Sequence, residues 1–137
     1  LKKYSLQIYA EHFEKINLNL LAVKKATLSS IKSVHSHIHA LGQCRSMILK
    51  HKLREVVESD TAYSAQYVAE KKIVTESAIA SELAAKIYGL QILKSKIEDE
   101  PDTSTTRFIL LGKEPKHPEF DKEKKYIKSY ICAWKNI

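Results

Sequence analysis

Between Ser33 and Lys94 short extended runs alternate with helical ones, and this alternation limits the architecture of the chain more strictly than anything else in it. Ser33-Val34-His35 reads as a strand, a helical period follows from about Ile38 to His51, and Glu55-Val56-Val57 reads as the next strand. Asp60-Thr61 opens a second helix whose apolar face is Ala62, Ala65, Val68 and Ala69 and which reaches about Lys71. Ser77-Ala78-Ile79-Ala80 is a short buried strand. Ser81 then opens a third helix, Glu82 to Tyr88, closed by Gly89, and Leu90 to Lys94 is extended again. Such a sequence is expected to form an α/β layer, a small mixed sheet flanked by helices.

The same device recurs at three of the strand-to-helix junctions. Ser36, Ser59 with Thr61, and Ser81 stand where a strand gives way to a helix, so their hydroxyls and the free amides behind them point out of the carboxyl ends of the strands. Such an edge can cradle an anion. Taken one at a time, the same residues are ordinary helix caps. Ser36, Thr61 and Ser81 are therefore expected to converge at one edge of the sheet.

Outside this region the signals are simpler. Leu6-Gln7-Ile8-Tyr9 and Ile16-Asn17-Leu18-Asn19-Leu20 alternate apolar and polar side chains and read as two neighbouring half-buried strands. After the acidic turn Glu98-Asp99-Glu100-Pro101-Asp102, an apolar strand runs from Phe108 to Leu111, with Phe108 expected in the core. Residues 113–125 hold two prolines without periodicity and read as a linker. Tyr126 to Trp134 reads as one further strand.

Composition excludes several function classes. The net charge of +7 rests on scattered lysines, with only Arg45, Arg54 and Arg107 as arginines, and does not form the basic, aromatic-interleaved face that nucleic acid requires. No hydrophobic run approaches a membrane span, so a soluble cytoplasmic protein is expected. Cys44 and Cys132 are too few for a disulfide framework, and Cys44 sits in an apolar helical pattern with Ala40, Met47 and Ile48, where a thiol packs as a small hydrophobe. His35, His37 and His39 would share a face on one continuous strand and could bind zinc there. The helix beginning near Ile38 breaks that alignment, so no metal site is expected.

More specific are Ala78-Ile79-Ala80-Ser81-Glu82-Leu83-Ala84-Ala85-Lys86-Ile87-Tyr88-Gly89-Leu90, then Ile97-Glu98-Asp99, then Thr106-Arg107-Phe108. In this order they resemble the end of the prephenate dehydratase catalytic domain. Ser36-His37-Ile38-His39-Ala40-Leu41-Gly42-Gln43-Cys44 is similar to that family's Ser-His-Pro-Gln-Ala-Leu-Ala-Gln-Cys segment, and Asp60-Thr61-Ala62 to its Thr-Ala helix start. The resemblance runs from about Leu6 to Gly112. Two departures stand out: Ser104 replaces an Asn that usually lies two positions before Thr-Arg-Phe, and the loop from Asp99 to Thr106 is one residue longer than is common.

The resemblance implies a two-lobed domain like a type II periplasmic binding protein, with prephenate in the cleft between the lobes. Residues 1–112 correspond to the second lobe and the returning crossover; the Gly-Pro-x-Gly-Thr-(Phe/Tyr)-Ser stretch of the first lobe is absent. Residues 126–137 resemble the first strand of the ACT module that senses phenylalanine, so phenylalanine is implied as a feedback effector and a homo-oligomer as the complete form. No cofactor is implied. The reaction expected is decarboxylating dehydration of prephenate to phenylpyruvate, with the Thr106 hydroxyl assisting the leaving hydroxyl as catalytic residue. Ser36, His37, Thr61, Ser81 and Arg107 are the expected substrate-binding residues, Arg107 either clamping a carboxylate or pairing with Asp99 or Asp102. By itself the chain is expected to be inactive. The rival expectation is a non-catalytic module of the same fold that binds an amino acid or keto acid, since a fold does not dictate a function.

Overall fold

The computed structural model describes residues 6–100 and 105–113. The linker and the strand expected at Tyr126 to Trp134, like Asp102 and Ser104, lie outside the described residues. Within His12–Phe108, a compact unit, the strands β2 (Asn19–Ala22), β3 (Ser33–Ser36), β4 (Arg54–Val57), β5 (Glu76–Ala80) and β6 (Gln91–Lys94) form one mixed sheet in the order β4-β3-β5-β2-β6. β3 runs parallel to β4 and β5, whereas β2 is antiparallel to β5 and to β6.

Helices cover both faces, and the period of two along the strands divides the side chains between them. Leu20, Val34 and Ile79 point to the face covered by α1 (Ile38–Gln43) and α2 (Arg45–Lys50), where they meet Leu41, Cys44, Met47 and Ile48. Leu21, Ala78 and Ala80 point to the other face and meet Ala65 and Val68 of α3 (Thr61–Lys71) and Ala84 and Ala85 of α4 (Glu82–Tyr88). Because the inner strands are covered on both sides, β2 and β5 read as nearly unbroken apolar runs. The alanines that meet on the second face let α3 and α4 lie close to the sheet.

The helices start where expected, at Ile38 and Thr61, but at these two junctions the capping side chain is not the expected hydroxyl. The side chain that caps α1 is His37, whose Nδ1 accepts from the His39 amide at 3.3 Å, and the cap of α3 is Asp60, which accepts from the Tyr63 amide at 2.7 Å. Ser81 caps α4 as expected, accepting from the Ala84 amide at 3.2 Å. Gly89 ends α4 with φ 65°, a left-handed turn that a side chain would strain. Asp60→Ala should therefore lower stability by about 1 kcal/mol, read as a shift of the urea midpoint at unchanged slope, since the Tyr63 amide loses its side-chain acceptor.

Three expectations about neighbours are corrected. β1 (Gln7–Lys15) is one nine-residue strand that pairs with β7 (Thr105–Gly112) in a separate two-stranded sheet, so it is not the partner of the strand that follows it. Second, the helical run from Ile38 is broken at Cys44. The Asp99 amide takes the Gln43 carbonyl at 2.7 Å, and the Asp99 carboxylate accepts from the Ser46 amide with both oxygens at 3.2 Å, which starts α2 afresh. Third, Phe108 is 53% exposed. It lies on β7, whose residues from Thr105 to Leu111 are all exposed.

The segment carrying Asp99 is tied down along its length. The Ile97 amide donates to the Leu18 carbonyl at 3.0 Å, and buried Glu98 accepts from the Leu18 amide at 3.1 Å. Cys44 lies beside these carboxylates. Burial first, then the charges of Glu98 and Asp99, pushes its thiol from 9.0 up to about 12. A raised folded pKa favours the neutral thiol, so this contribution is fully present below pH 9 and is lost as pH rises towards about 12. The stability difference between the parent and Cys44→Ala should accordingly shrink across that window in urea titrations. At pH 8 native Cys44 should resist thiol reagents until the chain unfolds, as read by mass mapping of the labelled peptide.

Candidate functional site

The sheet order decides where the candidate residues meet. In register, Ser36 stands beside Val57, His35 beside Ala78, and Asn19 beside Ala80. The carboxyl ends of β3, β4, β5 and β6 and the amino end of β2 therefore share one edge. Ser36, His37, Thr61 and Ser81 all lie along it.

They are not equivalent there. Ser36 is fully buried, and its hydroxyl donates to the Ile79 carbonyl at 2.7 Å, so it braces the ends of β3 and β5 and has no proton to offer a ligand. The half-buried His37 holds the start of α1, its ring 5.1 Å from that of His39. Thr61 is the first residue of α3 and half-buried. Ser81 is exposed and opens onto a cavity of about 500 Å³ at this edge, lined also by Lys15, Asn17, Asn19, Glu82 and Lys96.

The cavity wall is built by Asn19. Its amide donates to the carbonyls of Asn17 at 3.3 Å and Ala80 at 3.4 Å, and its carbonyl accepts from the Lys96 amide at 3.3 Å, where Lys96 adopts φ 51°. This links β2, β5 and the turn after β6. Glu82 puts a negative charge at the rim, but the Lys86 ammonium bonds to it at 2.8 Å and, by that hydrogen bond first and its charge second, keeps the carboxyl below the usual range. A second carboxylate, Glu14, also lines the cavity and lies 3.1 Å from the His12 ring; the hydroxyl of Ser81 and the ammonium of Lys96 are the groups there that can meet an anion. Asn17, Asn19 and Lys96 were missed by sequence reasoning because Asn17-Leu18-Asn19 reads there only as the polar positions of a half-buried strand.

A second polar cluster lies behind the edge. The buried His35 ring places Nδ1 at 3.1 Å from Glu58 and Nε2 at 3.8 Å from Glu76, with the Tyr67 ring at 4.9 Å. Glu58 in turn donates its amide to the Ser36 carbonyl at 2.9 Å, which fixes the turn leading into α3. Among the described residues, no group of three or more His, Cys, Asp or Glu is arranged to hold a metal.

Thr106 and Arg107 are exposed on β7 and are not among the residues lining the cavity. Asp99, one expected partner of Arg107, is engaged with the Ser46 amide.

The profile of the family described as prephenate dehydratase matches residues 1–116. The chain is 37% identical over 115 residues to a bifunctional N-acyl-homoserine lactone acylase/prephenate dehydratase of Komagataeibacter europaeus, covering 84% of this chain and 41% of that one. It is 38% identical over 122 residues to arogenate dehydratase 2 of Petunia hybrida, covering 89% and 31%. Among solved structures, the prephenate dehydratase of Arthrobacter aurescens in complex with L-Phe superimposes with a TM-score of 0.78 at 36% identity, covering 85% of this chain and 39% of that one. The chain thus spans between 31% and 41% of the length of these relatives.

Proposed function

The chain belongs to the prephenate dehydratase family, and from that premise we propose that it forms one wall of an active site that converts prephenate to phenylpyruvate, carbon dioxide and water. The observation that carries this reading is the open cavity at the carboxyl edge of the sheet, where Ser81 and Lys96 face an anion-sized space on backbone held by Asn19. Prephenate bears two carboxylates, and ligands of open α/β sheets bind outside the carboxyl ends of the strands.

In the reaction the ring carbon loses its carboxylate as carbon dioxide while the hydroxyl leaves from the opposite ring carbon. The electron pair of the broken carbon–carbon bond completes the aromatic ring. The departing oxygen takes up a proton and leaves as water. Thr106 donates the hydrogen bond to that oxygen, Arg107 and Ser81 hold carboxylates, His37 keeps the start of α1 in place, and Thr61 meets the substrate from the start of α3. Ser36 acts through the backbone it braces. The cytoplasm is the compartment proposed; no helix among the described residues is long and apolar enough to cross a membrane. Feedback by phenylalanine through an ACT module, and a homo-oligomeric complete form, belong to the same reading.

The test is to incubate a complete protein bearing this segment with prephenate and, in parallel, with arogenate, the substrate named for the Petunia relative. Phenylpyruvate from prephenate is expected. Turnover of arogenate alone would move the substrate assignment. Saturable binding of prephenate without turnover would establish instead the non-catalytic binding module.

A further inference from the structure

The edge of the sheet opposite the candidate site carries a second cavity, of about 400 Å³. Its floor is apolar, made by Ala69, Val74, Tyr88 and Leu90, and Lys24, Lys25 and Lys72 stand around it. A four-residue strand such as β2 separates the two edges by about 13 Å, so the two cavities are distinct.

The walls are held rigidly. Lys24 and Lys25 occupy the corner of a turn closed by the Ala26 amide on the Val23 carbonyl at 2.8 Å. The Gln91 amide donates to the carbonyls of Val23 at 2.8 Å and Ala26 at 2.7 Å, which clamps that turn onto β6. Across the cavity, Val74 is fixed through its carbonyl, which accepts from the Ser30 hydroxyl at 3.0 Å. The position of Lys72 at the end of α3 has a purely local explanation, because a cation suits the carbonyl end of a helix. No such explanation covers Lys24 and Lys25, which lie on a turn of their own. None of the three lysines enters an ion pair among the described residues.

We propose that this cavity binds a small organic carboxylate with an apolar body. The volume lies in the range of small-molecule sites. Three unpaired ammonium groups over an apolar floor suit a ligand with one charged end and one greasy end. Lysines, as point charges, need no planar partner and accept a carboxylate in any orientation.

The test uses the 137-residue chain with 3-phenylpropionate and 4-methylpentanoate as probes, followed by amide NMR. Both should shift the amides of Lys24, Lys25, Val74 and Leu90 saturably, with 3-phenylpropionamide binding at least about fivefold more weakly for want of the charge. Lys24→Gln/Lys25→Gln, both exposed and free of structural bonds, should weaken the carboxylates by a similar factor while Lys50→Gln, exposed on α2 and lining neither cavity, leaves them unchanged. Equal binding of the amide, or competition by inorganic phosphate at the same concentration, would overturn the proposal. So would shifts confined to Asn17, Ser81 and Lys96, or tighter binding of a hexaglutamate peptide than of either probe.

Discussion

Incubated with prephenate, purified Leu1–Ile137 is expected to form no phenylpyruvate above the uncatalysed background. The chain spans 41% of its Komagataeibacter relative and 31% of its Petunia relative, and the cavity at the carboxyl edge is lined by the end of β1, the link to β2, Asn19 of β2, the start of α4 and the turn after β6. A reacting group misplaced by about an ångström already costs ~10²-fold in rate; for a chain that spans this share of its relatives, the loss is expected to be complete. Phe108 and Leu110 on β7 are 53% and 61% exposed and Phe13 on β1 is 59% exposed, which leaves apolar surface for another chain. Adding a separately produced first lobe should restore measurable turnover and lower the tendency to self-associate in sedimentation. Robust phenylpyruvate formation by the purified chain alone would mean that the active site is built elsewhere.

In a complete enzyme carrying this segment, Thr106→Ala should lower kcat at least ~10²-fold with little change in KM, because on the proposed assignment a hydrogen bond to the departing oxygen is lost while the bound ground state is hardly touched. Thr106 is exposed on β7, so removing its hydroxyl empties no core and should leave the thermal midpoint unchanged. Thr106→Ser retains the hydroxyl and should recover most of the rate. A Thr106→Ala enzyme within threefold of the parent, an order-of-magnitude criterion, would falsify the assignment. The comparison with Ser81→Ala separates the two roles: loss of a carboxylate contact at the cavity should raise KM more than it lowers kcat.

Local chemistry was enough to place much of the fold. The run from Ser33 to Lys94 alternates as the structure does, from β3 to β6, because short apolar strands, helix caps and Gly89 act on the backbone within a few residues of themselves. The family, too, was legible in ordered segments such as Ile97-Glu98-Asp99 and Thr106-Arg107-Phe108. Even the shared edge of Ser36, Thr61 and Ser81 follows from local order, since parallel strands put their helix starts on one side.

Partner choice was decided only by the tertiary structure. β2 pairs with β5 and β6 and leaves β1 to β7, a choice made by the depth of Leu20 and Leu21 between two helical layers. Asp99 reaches back 53 residues to start α2, and Glu98 reaches back 80 residues to the Leu18 amide. Neither role can be read from the acidic turn in which these residues sit. Asn19, an unremarked polar position of a strand, holds the cavity wall because β5 and the turn after β6 arrive on either side of it. A buried amide or carboxylate must find a partner wherever the folded chain brings one, and sequence distance does not enter that requirement. The sequence by itself therefore determined most of the elements, their order and the family; the long-range hydrogen bonds, available only once the layers have closed, decided which residues brace the candidate cavity and which line it.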